Sequence, residues 1–204
     1  MTTDSGIGRA DQLALDHMQA QLREHVATST RANELVPIAL EVAELMINCF
    51  SGGGSAWTFG NGGSAADAQH FSGELLGHYR LDRRPLPCLT LGTDWSVASC
   101  TANDYSFVDV FSRQVAAMAR PGDVVCAFTT SGRSPNVVKA LQQARTNRAH
   151  TVLFGGGDGG PALALADHAL IVPSRETPRI QEVHTLLLHM ISNHLDIWAA
   201  GGDQ

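Results

Sequence analysis

The sequence carries little charge, and lysine is almost absent from it. Charged residues make up 17% of the chain, and Lys139 is the only lysine beside thirteen arginines. Schiff-base chemistry needs a desolvated lysine in a pocket. Because Lys139 falls within a predicted helix, an aldolase or a pyridoxal-phosphate enzyme is disfavoured. The formal net charge of −6 and the lack of a basic stripe argue against a nucleic-acid partner.

Long apolar runs and paired cysteines are also missing. A membrane span needs about 18 or more consecutive apolar residues, and the sequence has no such run. Residues 1–9 are polar and lack the apolar centre of a signal peptide, so we expect a cytoplasmic protein. The four cysteines form no C-x-x-C pair and are expected to be reduced and structural. They are Cys49, Cys88, Cys100 and Cys126.

What the chain does have is an all-helical start followed by alternating strands and helices. Apolar residues at helical spacing predict a first helix: Leu13, Leu15, Met18, Leu22 and Val26. Asn33 is the expected cap of a second helix. Candidate strands are Ala56–Phe59, Pro87–Leu91, Val124–Phe128, Thr151–Phe154 and Ala169–Val172, and helices are predicted near 63–78, 107–119, 135–146, 160–166 and 178–198. This pattern predicts a three-layer α/β sandwich around a central five-stranded parallel sheet. Residues 1–55 would form a helical extension and residues 56–204 the α/β domain.

The segment Thr129–Ser134 follows a predicted strand and precedes a predicted helix. Backbone N–H groups at a helix N-terminus attract anions, and the hydroxyls of Thr130, Ser131 and Ser134 add possible donors. Gly132 permits close approach of the backbone. The alternative is ordinary capping by Ser134, with Pro135 in the first turn, but capping needs one hydroxyl rather than four. The sequence therefore favours a phosphate-binding loop.

A second turn of this kind, Gly60–Ala65, has the glycine spacing of a dinucleotide fingerprint. Such a site also needs an acidic residue about 20 positions later, at the end of the next strand. Asp94 stands 34 positions after Gly60, so the fit is poor. No Gly-Lys-Ser/Thr follows, which excludes a P-loop.

Two residue pairs have spacings that suit a metal site. His70 and Glu74 stand four apart and share a helix face, and Gln181 and His189 stand eight apart on the last predicted helix. Each pair alone also arises by chance among nine histidines. His184 and His194 are interpreted as surface or packing histidines. Asn103 and Asp104 either bind sugar hydroxyls or cap a helix that begins near Phe107.

Several segments together resemble the sedoheptulose-7-phosphate (phosphoheptose) isomerases of the sugar-isomerase (SIS) superfamily. The segments are Phe59–Phe71 (FGNGGSAADAQHF), Asn103-Asp104, Thr130–Ser134 (TSGRS) and Arg179–His184 (RIQEVH). Their order and spacing match over nearly the whole chain. The T-S-G-x-S element is shared across the superfamily, whereas the first and last segments are far more specific.

The resemblance implies a flavodoxin-like SIS domain, a homotetramer and active sites at subunit contacts. By position it implies that substrate is bound by Asn61, Gly62, Gly63, Glu74, Asn103, Asp104, Thr129, Thr130, Ser131, Ser134 and Gln181, the four hydroxyl residues holding the phosphate. It implies one zinc ion per subunit, held by His70, Glu74, Gln181 and His189. Glu74 and His189 would also be the catalytic acid–base pair.

The implied reaction converts sedoheptulose 7-phosphate into D-glycero-D-manno-heptose 7-phosphate through an enediol. Whether the zinc ion is catalytic or orients the substrate stays open. Two departures from the family are Thr129 in place of the usual Ser and His78 where many members have Arg, and the second leaves the exact sugar open. The alternatives are an isomerase of another ketose phosphate and a non-catalytic SIS regulator of the replication-initiation type. That regulator lacks the metal-site residues, so their presence favours the enzyme.

Overall fold

The computed structural model describes residues 9–201, and the chain begins with two long helices. Helix α1 spans Arg9–Arg31, a 3-10 turn spans Ala32–Leu35, and helix α2 spans Val36–Ser51. The predicted cap at Asn33 is wrong, because Asn33 lies inside the 3-10 turn. The chain passes from α1 to α2 without leaving helical conformation, so the cap position of α2 is Leu35, which makes no side-chain cap, and a proline stands in the first turn.

The predicted five-stranded parallel sheet is confirmed. Its strands are β1 (Ala56–Gly60), β2 (Cys88–Thr90), β3 (Val124–Phe128), β4 (His150–Gly156) and β5 (His168–Val172). They pair in parallel in the order β2-β1-β3-β4-β5. The order reverses between β1 and β3, and Gly60 at the end of β1 pairs with Phe128 at the end of β3. Ligands of such sheets bind at this switch point, beyond the carboxyl ends of the strands.

Helices cover both faces of the sheet. They are α3 (Gly63–Leu76), α4 (Trp95–Asp104), α5 (Ser112–Met118), α6 (Pro135–Thr146), α7 (Gly160–Leu163) and α8 (Thr177–Ala199). Helix α4 was not predicted, and the helix predicted over 107–119 is divided into a 3-10 turn at Phe107–Asp109 and α5. None of the described helices is long and apolar enough to cross a bilayer.

The two faces of the sheet bury separate apolar clusters. Strand β3 is buried along its whole length, as expected for a parallel strand covered on both sides. On one face, Met46 of α2, Phe71 of α3 and Leu187 of α8 pack together. On the other, Val115 of α5 and Leu141 of α6 fill the core. Full burial of each such side chain stabilises the fold by about 1.5–3 kcal/mol, and it fixes α3 and α8 against the same face.

The four cysteines are free thiols, as predicted. Cys49, Cys88 and Cys126 are buried and Cys100 is exposed. Burial raises the pKa of Cys49 to about 11 and that of Cys88 to about 12. Thiols with such pKa values stay protonated at neutral pH, which suits a packing role better than a nucleophilic one.

Candidate active site

Two loops leave the sheet side by side at the switch point. The first joins β1 to α3 through residues 61–62, and the second joins β3 to α6 through residues 129–134. A reciprocal amide pair ties them together: Asn61 donates to Asn136 and Asn136 donates to Asn61, both at 2.9 Å. Because Asn136 is 2% exposed, this pair fixes the spacing of the two loops from within.

The loop after β3 is shaped by its own hydrogen bonds and by one glycine. The N–H of Gly132 donates to Thr129 Oγ1 at 3.2 Å, and the N–H of Arg133 donates to Ser131 Oγ at 3.2 Å. Gly132 has a φ of 63°, and a Cβ there would lie 1.8 Å from the carbonyl oxygen of Gly159. Only glycine fits both requirements.

Ser134 occupies the cap position of α6, but its hydroxyl makes no capping hydrogen bond. Pro135 begins the helix, as predicted, and has no N–H to satisfy. Simple capping by Ser134 is therefore not what the structure shows. The Ser134 hydroxyl is left available for a ligand at the positive end of a twelve-residue helix.

A pocket of about 250 Å³ opens between the two loops and the start of α8. Its lining includes seven of the predicted substrate-binding residues: Asn61, Gly63, Thr129, Thr130, Ser131, Ser134 and Gln181. Ser64, Phe128 and Thr177 complete it. The lining offers hydroxyls, amides and backbone groups but no carboxylate, so its chemistry suits an anion such as a phosphate.

Helices α3 and α8 run alongside one another, and their contact extends from this pocket. At the pocket end, a Cβ on Gly63 would lie 2.5 Å from Gln181 Nε2, so the absence of a side chain at Gly63 makes room for the amide. One turn further along α3, Thr185 Oγ1 donates to Asp67 Oδ1 at 3.3 Å.

At the far end of the same contact, three side chains converge on one point. His70 Nε2 lies 3.0 Å from Glu74 Oε1 and 3.2 Å from His189 Nε2. Ligand atoms of all three residues lie within 4.8 Å of one another. A tetrahedral zinc site with bonds of about 2.0–2.1 Å places its ligand atoms about 3.3 Å apart. The two shortest separations are close to that spacing, and two imidazoles with a carboxylate are ligands that zinc accepts, so these residues fit the ion.

The imidazole of His189 is enclosed by two further rings. Tyr79 stacks on it with ring centroids 5.1 Å apart and an interplanar angle of 23°, and His70 meets it edge-on at 4.9 Å. Burial lowers the pKa of His189, with His70 acting in the same direction and Glu74 opposing them. His189 is therefore biased towards the neutral form, which can bind a metal or exchange a proton.

Three predicted site residues lie outside both the pocket lining and the His70–Glu74–His189 cluster, namely Gly62, Asn103 and Asp104, and a fourth, Gln181, lines the pocket but stands apart from the cluster. Gln181 stands eight residues before His189, about 12 Å along the helix, with its amide against Gly63 at the pocket. Asn103 and Asp104 end α4 and are exposed, outside the residues that line the pocket. The alternative in which this pair caps the next helix is wrong, because Ser106 caps the following 3-10 turn. The roles of Gly62, Asn103 and Asp104 in substrate binding and of Gln181 in metal binding stay predictions.

The two histidines set aside from the site are placed as predicted. His184 is fully buried behind the α3–α8 contact, where its Nε2 lies 3.0 Å from the carbonyl oxygen of Gly155. His194 is exposed and pairs with Glu44 at 2.8 Å. His184 Nδ1 lies 4.0 Å from Asp67 Oδ2, and neither atom has a hydrogen-bond partner.

Sequence reasoning missed three residues that organise this site. Asn136 stands two positions after Ser134, and a polar residue in the first turn of α6 was the available signal. Asp67 lies on α3, on the same side of the helix as His70 and Glu74. Tyr79 had no signal in the sequence, because its contact with His189 depends on how the chain turns after α3.

Comparisons with known proteins agree with this architecture. The SIS domain family profile matches residues 19–156. A phosphoheptose isomerase of Geobacter sp. (strain M21) is 46% identical over 178 residues, covering 87% of this chain and 93% of the relative. The solved phosphoheptose isomerase GmhA from Neisseria gonorrhoeae is 38% identical with a TM-score of 0.85, and that from Francisella tularensis is 32% identical with a TM-score of 0.87. Each covers 90% of this chain and 98% of the solved one. The chain therefore belongs to the phosphoheptose isomerase family of SIS-domain proteins.

Proposed function

We propose that this chain is an aldose–ketose isomerase that converts sedoheptulose 7-phosphate into D-glycero-D-manno-heptose 7-phosphate. The relatives at 38–46% identity carry the name phosphoheptose isomerase. The observation that carries the proposal is the convergence of Glu74, His70 and His189 on one point, along the same helix contact as the hydroxyl-lined pocket.

The spacing of these two features suits a seven-carbon substrate. His70 follows Gly63 by seven residues, which is about 10 Å along α3. An extended chain advances about 1.2 Å per bond, so the eight bonds from C1 to the phosphorus of a heptose 7-phosphate also span about 10 Å. A phosphate in the Thr129–Ser134 loop would therefore leave C1 and C2 near the carboxylate and the imidazole. A shorter sugar phosphate would span about 1.2 Å less for each carbon that it lacks.

The reaction needs one group that transfers the proton between the two carbons and one that transfers the proton between the two oxygens. A proton leaves C1 and returns to C2, while a proton is transferred from O1 to O2, with an enediol between the two stages. We assign the carbon-bound proton to Glu74 and the oxygen-bound proton to His189, because both lie within reach of a single substrate position. The stacked ring of Tyr79 limits the access of water to His189.

Zinc is part of the proposal. His70, Glu74 and His189 would hold one ion per chain. The resemblance also implies Gln181 as a ligand, but its amide lies against Gly63 at the pocket, so it would have to leave that position to reach the ion. When bound, the ion would stabilise negative charge on the substrate oxygens. His70 is the member of the cluster with no proton-transfer role, so it serves the ion alone.

A homotetramer is the assembly that we propose, and the surface of α1 supports it. Met18, Leu22 and Val26 stand four residues apart on one face of α1 and are each more than half exposed, so they form an apolar stripe that the rest of the described chain does not cover. Copies of the chain that pack on this stripe would bury it. Asn103 and Asp104, which lie outside the pocket of their own chain, would then be available to a neighbouring site. The cytoplasmic location stays a prediction.

Turnover of a panel of ketose phosphates tests the function. We expect the purified protein to isomerise sedoheptulose 7-phosphate with the highest kcat/KM, and to act more weakly on five- and six-carbon ketose phosphates, whose shorter chains fit the distance between the two regions less well. Binding of the heptose phosphate without turnover by the zinc-loaded protein would instead indicate a non-catalytic SIS regulator. Preference for a shorter ketose phosphate would indicate a different isomerase.

A further inference from the structure

The turn that follows α3 is fixed by a buried ion pair. Arg83 Nε donates to Asp196 Oδ1 at 2.8 Å, and both side chains have an exposed fraction of 0%. Asp196 belongs to α8 and lies seven residues after His189. The pair therefore anchors the turn to the same helix that carries the candidate acid–base histidine.

Asp196 also accepts hydrogen bonds from the backbone of the turn. The N–H groups of Arg80 and Leu81 donate to Oδ2 at 2.6 and 2.9 Å, and that of Tyr79 donates to Oδ1 at 3.4 Å. Burial would raise the pKa of Asp196, but these donors and Arg83 outweigh it and hold the pKa below its ordinary value. The carboxylate thus stays charged and sets the path of the backbone at Tyr79.

Arg83 fixes the C-terminal end of α3 by donating hydrogen bonds to its backbone. Its guanidinium donates to the carbonyl oxygens of Glu74 and Leu75, both at 2.7 Å, and to that of Gly77 at 3.0 Å. A cation at a helix C-terminus satisfies carbonyls that have no partner within the helix. One buried pair therefore holds the backbone of Glu74 and the position of Tyr79 together.

Tyr79 is the residue through which this turn reaches the site. Its ring covers one face of the His189 imidazole in a stacked arrangement, while His70 meets the imidazole edge-on. With these two contacts the imidazole is restrained in tilt and in rotation. Proton transfer depends on such restraint, because a small displacement of a catalytic group costs a large part of its rate.

We propose that Tyr79 is a positioning residue that fixes the imidazole of His189 for proton transfer through ring stacking, in a turn held by the Arg83–Asp196 pair. This inference rests on the proposed isomerase function. It assigns the effect to the aromatic face and not to the phenol hydroxyl. It therefore separates two substitutions at one position: Tyr79→Phe keeps the stacking, and Tyr79→Leu removes it.

Steady-state kinetics with sedoheptulose 7-phosphate, on zinc-saturated protein, test the inference. Tyr79→Leu should lower kcat about tenfold with KM changed less than about twofold, since the phosphate pocket is untouched. Tyr79→Phe should restore kcat to within about twofold of wild type. Trp198→Leu is the matched control, because Trp198 is an aromatic residue on α8, the helix that carries His189, and it contacts Arg84 instead of an imidazole. Should Tyr79→Leu fail to fold, Tyr79→Gln, which suits a half-buried site, carries the same expectation.

A second measurement is independent of turnover. With ring-labelled histidine, the carbon-bound imidazole protons of His189 should move downfield in Tyr79→Leu, because the ring current of the stacked phenol is lost, and stay in place in Tyr79→Phe and Trp198→Leu. Wild-type kcat in Tyr79→Leu, an equal loss in Tyr79→Phe, or an unmoved His189 signal would each overturn the inference. A wild-type protein with no isomerase activity would contradict the proposed function, while the His189 proton signals would still show whether Tyr79 stacks on the imidazole.

Discussion

The contact between α3 and α8 has two ends that offer a ligand different kinds of groups. At the Gly63 end, the pocket presents hydroxyls, amides and backbone N–H groups, none of which titrates near neutral pH. At the His70 end, a carboxylate and two imidazoles lie within 4.8 Å of one another. The first end can bind a charged group without changing its protonation, whereas the second can bind a metal and transfer protons.

This division has a consequence for kinetics. Contacts with a non-reacting phosphate contribute about equally to the ground state and the transition state, so they act on KM. Groups that transfer protons take part only in the chemical step, so their substitution lowers kcat. Substitutions at the two ends should therefore separate the two constants, and the following predictions are ordered by the size of the expected effect.

The largest effect is expected at Glu74. Glu74→Gln keeps the shape of the side chain but removes its charge and basicity, so kcat should fall by at least about 100-fold, the scale for loss of a general base. KM should change little. Steady-state kinetics provide the measurement, and Glu44→Gln, at an exposed glutamate that also pairs with a histidine, should behave as wild type. Full activity of Glu74→Gln would remove this residue from the acid–base role.

The metal provides the next comparison. Purified protein should contain close to one zinc per chain by elemental analysis, and a chelator should remove activity that added Zn²⁺ restores. His70→Ala should weaken zinc affinity at least about tenfold, since it deletes a direct ligand. His194→Ala should not, because that histidine contacts only Glu44 on the surface. Equal zinc content in both variants would contradict the proposed ligand set.

At the pocket end, the double substitution Ser131→Ala with Ser134→Ala should act on KM. Each hydroxyl bond to a charged group is worth about 1.5–3 kcal/mol, so KM should rise at least about tenfold while kcat stays within about twofold. Ser99→Ala is the control, because the Ser99 hydroxyl bonds only to backbone carbonyls within α4. An unchanged KM in the double variant would remove the loop from the substrate site.

The fold was largely predictable from local patterns. The five strands stand out because each is a short, mostly apolar run, and the alternation with helices indicates a parallel sheet. Helix α4 was missed because most of its residues are small or polar and only Thr101 is buried. A cap signal was nevertheless present: Asp94 accepts from the N–H groups of Ser96 and Val97.

The site was predictable only in part. The loop Thr129–Ser134 carries its own signal, since four hydroxyls and a glycine precede a helix. The His70–Glu74–His189 cluster depends on how α3 lies against α8, and spacing within each helix leaves that open; the family resemblance supplied it. The stacking of Tyr79 and the burial of Asp67 beside His184 depend on tertiary packing alone, so no pattern in the sequence indicates them.

The smallest expected effect concerns stability. It involves the buried pair of Asp67 and His184, which lies between the pocket end and the His70 end of the α3–α8 contact. Burial raises the pKa of Asp67 to about 6, and burial lowers the pKa of His184 to about 4. The folded state thus holds the Asp67 proton more tightly than the unfolded state, and this contribution is lost as pH rises from about 4 to about 6. His184 behaves oppositely, since its contribution is present above about pH 6.5 and lost as pH falls to about 4. In the wild-type protein the two largely cancel.

Asp67→Asn should uncover the contribution of His184. The free energy of unfolding of this variant, relative to wild type, should rise by about 2 kcal/mol between pH 4 and pH 6, because the substitution removes the contribution of Asp67, which falls with pH, and leaves that of His184. Urea unfolding at fixed protein concentration, repeated across this range, gives the difference at each pH. Asp16→Asn, at an exposed aspartate of α1 that bonds only to Gln12, should show a constant difference. A constant difference for Asp67→Asn as well would mean that Asp67 has the same pKa in the folded and unfolded states. The region between the Gly63 end and the His70 end would then hold no acid whose pKa is raised by burial.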